Sequence, residues 1–176
     1  MAYKNLHQII GFQVVWFAWA LGVPQGWLWP GALASIVFLA SHHRDLRLQA
    51  RDRLAVLWCA GCGFVFDSVL MQLNWLSFEA LNPGPLRGWQ PWWMLLLWAC
   101  LGCTLHHSLG WLRGRVGLAV PLCGVAGVLS YQAAAQMGAL SLPGQPGAWV
   151  TLALFWACFL PWVQHRTGLE PVPDRL

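Results

Sequence analysis

The residue with the clearest capacity for chemistry in this sequence is Asp67, a carboxylic acid inside the apolar run Gly-Phe-Val-Phe-Asp-Ser-Val-Leu. At 1.5 Å per residue it lies roughly 21 Å along a helix from Arg53, deep within a bilayer. An ionisable group at that depth is costly unless it is paired, protonated or hydrated. Two interpretations stay open: a functional acid that handles a proton or cation, and a structural hydrogen-bond acceptor between helices.

Four more polar side chains are candidates for the same intramembrane site. Tyr131 lies about 22 Å along the fifth apolar run, level with Asp67, so its hydroxyl is expected to donate to the carboxylate. Gln132 follows Tyr131 in the chain and is expected beside it. Gln13 lies in the first apolar run at a lower level, and Ser68 adjoins Asp67. Together these residues predict a polar site within the membrane.

A second polar face is expected in the fourth apolar run, where Thr104, His107 and Ser108 recur at helical spacing. It lies at a different depth from Asp67, so we expect no direct pair between Asp67 and His107. Adjacent His106 and His107 cannot both bind one metal from a regular helix, because neighbouring side chains point about 100° apart. No His-x-x-x-His spacing is present, so we expect neither a metal site nor a cofactor.

The other candidate metal ligands are histidines near one membrane surface and cysteines within the apolar runs. A cluster that also used His42, His43 and His165 is the alternative that keeps metal binding open. All six cysteines, including the pairs Cys59-Ala-Gly-Cys62 and Cys100-Leu-Gly-Cys103, lie inside apolar runs. We therefore expect free thiols that pack as small apolar side chains against glycine-lined helix contacts.

The elements that must position these residues are transmembrane helices. Hydrophobic residues make up 58% of the 176-residue chain and charged residues only 9%, far fewer than the roughly one quarter of a soluble domain. Each span needs about 20 mostly apolar residues. The sequence predicts an all-α bundle of six spans in a single domain covering residues 1–176. The predicted spans are residues 6–22, 27–42, 54–73, 91–112, 116–137 and 148–164.

The basic residues predict the orientation of this bundle. Counted from the N-terminus, the odd-numbered segments outside the spans hold nine of the ten lysine and arginine residues, and the even-numbered segments hold only Arg87. The positive-inside rule then places both termini in the cytoplasm. The same distribution explains the net charge of +4 without a nucleic-acid partner.

Several short patterns along the chain resemble a bacterial inner-membrane family known as domain-of-unknown-function family 2878. They are Phe12-Gln13 with Trp16-Phe17, Asp67-Ser68, Pro91-x-Trp93 with Leu97-Trp98, Thr104-Leu105 with Ser108-Leu109-x-Trp111-Leu112, Gly124-x-x-Gly127-x-x-Ser130-Tyr131 and Gly138-Ala139. One departure is Val128, where the family pattern has proline, so the kink that proline would cause in the fifth helix is in doubt. The resemblance implies no established activity; its members tend to be encoded near enzymes that modify membrane fatty acids.

Three functional hypotheses follow. The first is an accessory protein of the bacterial inner membrane that binds a lipid or a partner and serves lipid modification or envelope homeostasis. The second is a small transporter or channel that uses Asp67 as an ion or proton site. The third is a membrane-embedded enzyme, and the sequence does not decide whether any reaction is catalysed. Expected partners are membrane lipids, with other inner-membrane proteins or a second copy as further candidates.

Overall fold

The computed structural model describes residues 2–46, 50–78, 88–142 and 144–168. These residues contain six α-helices and no β-strand. The helices are α1 (Ala2–Gly22), α2 (Trp29–Leu46), α3 (Ala50–Gln72), α4 (Trp92–Thr104), α5 (Val116–Gln136) and α6 (Pro146–Gly168). The predicted all-α bundle is therefore confirmed, and five of the six helices have bounds within four residues of the predicted ones.

The helices are apolar enough to make this a membrane-embedded protein. Four segments of the described chain meet both the length and the composition of a membrane span, namely Leu6–Gln25, Ala50–Gln72, Val116–Gln136 and Pro146–Gly168. Many large apolar side chains point outward from the bundle, which suits a surface that contacts lipid. α2 and α4 do not meet these requirements of length and composition, so six complete membrane crossings remain a prediction.

The shortest helix, α4, lies at the centre of the bundle. It packs against α1, α2 and α3, while α5 packs mainly on α6 and α6 also contacts α3. Consecutive helices thus form three hairpins, α1–α2, α3–α4 and α5–α6. At one end, a reciprocal pair of backbone hydrogen bonds between Ser77 and Ser141 joins the segment after α3 to the segment after α5.

The regular helix is shorter than the fourth predicted span, because it ends at Thr104 rather than near residue 112. The Thr104 carbonyl accepts from the backbone N–H groups of His107 and Leu109, which closes a turn in place of the next helical turn. The side chain of Gln164 on α6 donates to the carbonyls of Leu105 and Leu109, at 2.7 and 2.9 Å. Non-helical backbone at membrane depth is tolerated when protein groups satisfy it in this way.

Small residues set the spacing of the helices at several contacts. A Cβ atom at Gly102 would lie 2.6 Å from the Cα of Val56, so α4 meets the backbone of α3. All six cysteines are free, and four of them are buried, as a packing role predicts. The sequence predicted that the glycines beside the two cysteine pairs lie at close helix contacts. This prediction was wrong for Gly61, where an added Cβ atom would meet nothing within 4 Å. α5 continues as regular helix past Val128.

The charge distribution makes a topology prediction that can be tested directly. Reporter fusions after Leu142, which follows α5, should be active in the periplasm, and fusions after Glu170 should be active in the cytoplasm. Paired alkaline phosphatase and fluorescent-protein fusions give opposite readouts at each position. A periplasmic signal at residue 170 would contradict the arrangement with both termini inside.

The contact between α3 and α4 predicts a large difference between two glycine substitutions. Gly102→Ala should lower the free energy of unfolding by about 1–3 kcal/mol, because the new methyl group meets backbone that cannot move aside. Gly61→Ala is the matched control on an open face and should cause no loss. Unfolding in detergent, followed by tryptophan fluorescence, measures both. Equal stability of the two variants would show that the helices do not meet this closely.

Candidate functional site

The carboxylate of Asp67 lies on α3 and is completely buried, with 0% of the residue exposed. Trp98 on α4 donates its indole N–H to Oδ2 at 2.8 Å. Tyr131 on α5 donates its hydroxyl to Oδ1 at 2.5 Å. Each carboxylate oxygen thus has its own donor, and the bond from Tyr131 is the one expected from the helical levels. Trp98 was missed, because indole rings in membrane helices are usually read as interface anchors.

Two glycines create the space for the aromatic rings around this carboxylate. Gly63 lies one helical turn before Asp67, and a Cβ there would be 2.3 Å from the indole of Trp98. Gly127 lies one turn before Tyr131, and a Cβ there would be 2.1 Å from the indole of Trp156. The two indoles stack on each other with ring centroids 4.9 Å apart. On both α3 and α5, a glycine one turn before the polar residue therefore leaves room for an indole ring.

The remaining residues predicted for this site are distributed over other positions. Ser68 is buried, and its hydroxyl accepts a hydrogen bond at 3.1 Å from the backbone N–H of Gln90. This bond fixes the segment that leads into α4. The expectation for Gln132 was wrong in geometry: it is exposed, and no hydrogen bond joins it to Asp67. Gln13 is also exposed and makes no hydrogen bond to Asp67, but it lies in the wall of a cavity.

That cavity has a volume of about 380 Å³ and lies between α1, α4 and α5. Its walls are mostly apolar and aromatic, with Phe12 and Trp16 on α1, Leu97 and Leu101 on α4, and Leu122 and Ala126 on α5. Both Trp98 and Tyr131 belong to the wall, whereas Asp67 lies behind them and does not. Because both polar donors of these rings bind Asp67, the rings present mainly carbon to the cavity.

Thr104 and Ser108 lie in the cavity wall at the break after α4, and the wall continues to Leu112. The Thr104 hydroxyl donates to the carbonyl of Leu101 at 2.7 Å, and the Ser108 hydroxyl lies 3.5 Å from the carbonyl of Thr104. These hydroxyls satisfy local backbone carbonyls. His107 does not share their surface, because the helix on which all three were predicted to align ends at Thr104.

A second polar cluster lies at the other end of α3, where His107 faces Asp52 rather than Asp67. Its Nε2 atom is 3.5 Å from Oδ1 of Asp52. The ring of His42 meets that of His107 edge to face with centroids 5.1 Å apart, and Gln8 is 2.7 Å from Nδ1 of His42. Asp52 and Asp67 are fifteen residues apart on α3, about 22 Å along its axis. The two polar clusters are therefore separate.

The other histidines do not join this cluster. His106 pairs with the hydroxyl of Thr167 on α6 at 2.6 Å. His43 and His165 are exposed. Of the histidines in the alternative cluster, the structure brings together His42 and His107, with Asp52 as the third residue, and metal binding there stays a prediction. No sequence spacing could reveal this set, since its members come from three separate segments.

A comparison with known families gives a match over residues 5–162 to the model described as a protein of unknown function, DUF2878. The chain belongs to this family. The match confirms the resemblance drawn from the short sequence patterns. No curated protein and no solved structure matches the chain. Because the DUF2878 description carries no activity, the roles of the residues above rest on their geometry.

The double hydrogen bond at Asp67 predicts how the bundle responds to substitution. Asp67→Asn keeps one acceptor oxygen and should lower stability by about 1 kcal/mol. Asp67→Leu leaves the Trp98 and Tyr131 donors unpaired and should cost about 2–3 kcal/mol. Tyr131→Phe should cost less in the Asp67→Leu background than in the native chain. Chemical unfolding in detergent measures this double-mutant cycle, and strictly additive losses would contradict the coupling.

Proposed function

We propose that this protein binds the acyl chain of a membrane lipid in the cavity between α1, α4 and α5. The observation that carries the proposal is the cavity itself, a space of about 380 Å³ with apolar and aromatic walls in a membrane-embedded bundle. This volume lies in the range of small-molecule binding sites. Small-molecule sites in proteins combine such walls with a few polar groups that orient the ligand.

The shape of the cavity favours an elongated occupant. Its wall follows α4 from Trp93 to Thr104, about 16 Å along the helix axis, and continues to Ser108 and Leu112. α1 and α5 lie on two of its sides and form no extended interface with each other. A gap between two outer helices supports entry from the bilayer rather than from water.

A few polar groups in the wall support binding of a lipid that has a carbonyl or hydroxyl group near its chain. The side-chain amide of Gln13 makes no hydrogen bond to another residue in the described part of the chain. The Ser130 hydroxyl donates to the carbonyl of Ala126 at 2.8 Å and keeps acceptor capacity. These groups would orient the lipid, while the apolar walls would supply most of the binding free energy.

The geometry gives less support to a transporter that uses Asp67. Both carboxylate oxygens are hydrogen-bonded and the residue has no exposed surface, so an ion would have to displace Trp98 or Tyr131 to reach it. We infer a structural role for Asp67, which holds two wall residues in place.

A lipid-binding protein of this kind would suit an accessory role in a bacterial inner membrane, in lipid modification or envelope homeostasis.

Two neighbouring positions on α5 provide a matched test. Ala126 lies in the cavity wall, whereas Val125 is 58% exposed and does not line it. Ala126→Trp should fill the cavity and lower lipid occupancy about tenfold, equal to ~1.4 kcal/mol. Val125→Trp should leave occupancy unchanged. Crosslinking to a phosphatidylethanolamine with a diazirine in one acyl chain, followed by mass spectrometry, measures occupancy and locates the attachment.

Crosslinks confined to the outward faces of the helices, with equal yield in both variants, would contradict the proposal. Native mass spectrometry of the detergent-purified protein gives an independent measure of retained lipid. Melting temperatures of both variants serve as the control for folding.

A further inference from the structure

The polar cluster at the start of α3 has the composition of a metal site. His42 and Asp52 are each 1% exposed, and the His107 side chain is 16% exposed. One ligand atom from each residue lies within 4.8 Å of the ligand atoms of the other two. The three residues come from the last turns of α2, the first turn of α3 and the turn after α4. From this juxtaposition we propose that His42, Asp52 and His107 bind one divalent transition-metal ion of the zinc class.

The separation between His107 and Asp52 suits a tetrahedral ion. Ligand atoms at about 2.1 Å from Zn²⁺ lie about 3.4 Å from one another in a tetrahedron. Nε2 of His107 and Oδ1 of Asp52 are 3.5 Å apart, which is too long for a hydrogen bond and close to that tetrahedral edge. Nε2 of His107 is buried and has no hydrogen-bond partner. An ion between these atoms would give Nε2 of His107 the partner that it lacks.

The contact between His42 and Gln8 provides a second, independent observation. Nε2 of His42 is buried without a partner, and so is Oε1 of Gln8. The structure places Nε2 of Gln8 against Nδ1 of His42, and a 180° rotation of the amide would bring Oε1 to the same position, because the two atoms are nearly equal in shape. With Oε1 of Gln8 turned toward His42, the Nδ1–H of His42 donates to it and Nε2 keeps a lone pair for the ion. Metal-bound histidines are commonly oriented by such an outer hydrogen bond.

The donor set indicates which ions are favoured. Two imidazoles and one carboxylate suit zinc and other late first-row ions, whereas Mg²⁺ and Ca²⁺ prefer sets made entirely of oxygen. Arg51 adjoins Asp52 and adds positive charge at this end of the helix, so binding must come from the imidazole donors more than from net charge. Three protein ligands leave a fourth tetrahedral position for water.

The test uses the full chain, purified in detergent without a polyhistidine tag and stripped with a chelator. Zinc is then titrated in competition with a fluorescent zinc chelator. We expect one zinc per chain, with affinity at least about tenfold weaker in Asp52→Asn and in His107→Gln. Gln8→Met should weaken binding by about tenfold as well, through the orientation of His42. His43→Gln is the matched control, since this exposed neighbour of His42 should have no effect.

Cobalt provides a readout that does not depend on the variants folding. Co²⁺ added to the native protein should give the absorption bands of a tetrahedral site with nitrogen and oxygen ligands. Strong thiolate charge-transfer absorption would instead assign the ion to cysteines and overturn the proposal. So would the absence of stoichiometric zinc binding, unchanged affinity in Asp52→Asn and His107→Gln, or an equal loss in His43→Gln. None of these outcomes depends on the lipid cavity, because neither His42, Asp52 nor His107 lines it.

Discussion

The buried carboxylate of Asp67 is the interaction on which the arrangement of α3, α4 and α5 depends. It accepts one hydrogen bond from Trp98 and one from Tyr131, on helices that form no extended interface with each other. A carboxylate in an apolar interior is tolerated only when its oxygens have such donors. The need to satisfy one acid therefore connects two helices at the edge of the cavity and holds both rings in its wall.

That connection requires close approach of large rings to helix backbone, which only residues without a side chain allow. Gly63 and Gly127 each lie one turn before the polar residue that they serve, and each accommodates an indole. The two indoles stack, so the polar contact at Asp67 and the aromatic packing of Trp98 and Trp156 support each other. In a bilayer, where apolar burial drives helix association weakly, such packing and hydrogen bonding supply most of the specificity.

The early end of α4 separates two environments within the bundle. α4 lines the apolar cavity, whose wall continues to Leu112. After Thr104 the chain turns so that His107 faces away from the cavity and meets Asp52 and His42. Gln164 stabilises this break by donating to two carbonyls that a continuous helix would have used. A lipid site and a metal site can therefore coexist without sharing residues.

The sequence by itself determined the membrane setting, the number and approximate bounds of the helices and the pairing of Tyr131 with Asp67, because apolar run length and helical rise are local properties of the chain. Only the tertiary structure decided that Gln132 is exposed, that α4 stops at Thr104, and that Trp98 completes the carboxylate site. The cluster of His42, Asp52 and His107 was likewise out of reach. Each of these features depends on which helix faces which, and a helical repeat specifies the faces of a helix but not their neighbours.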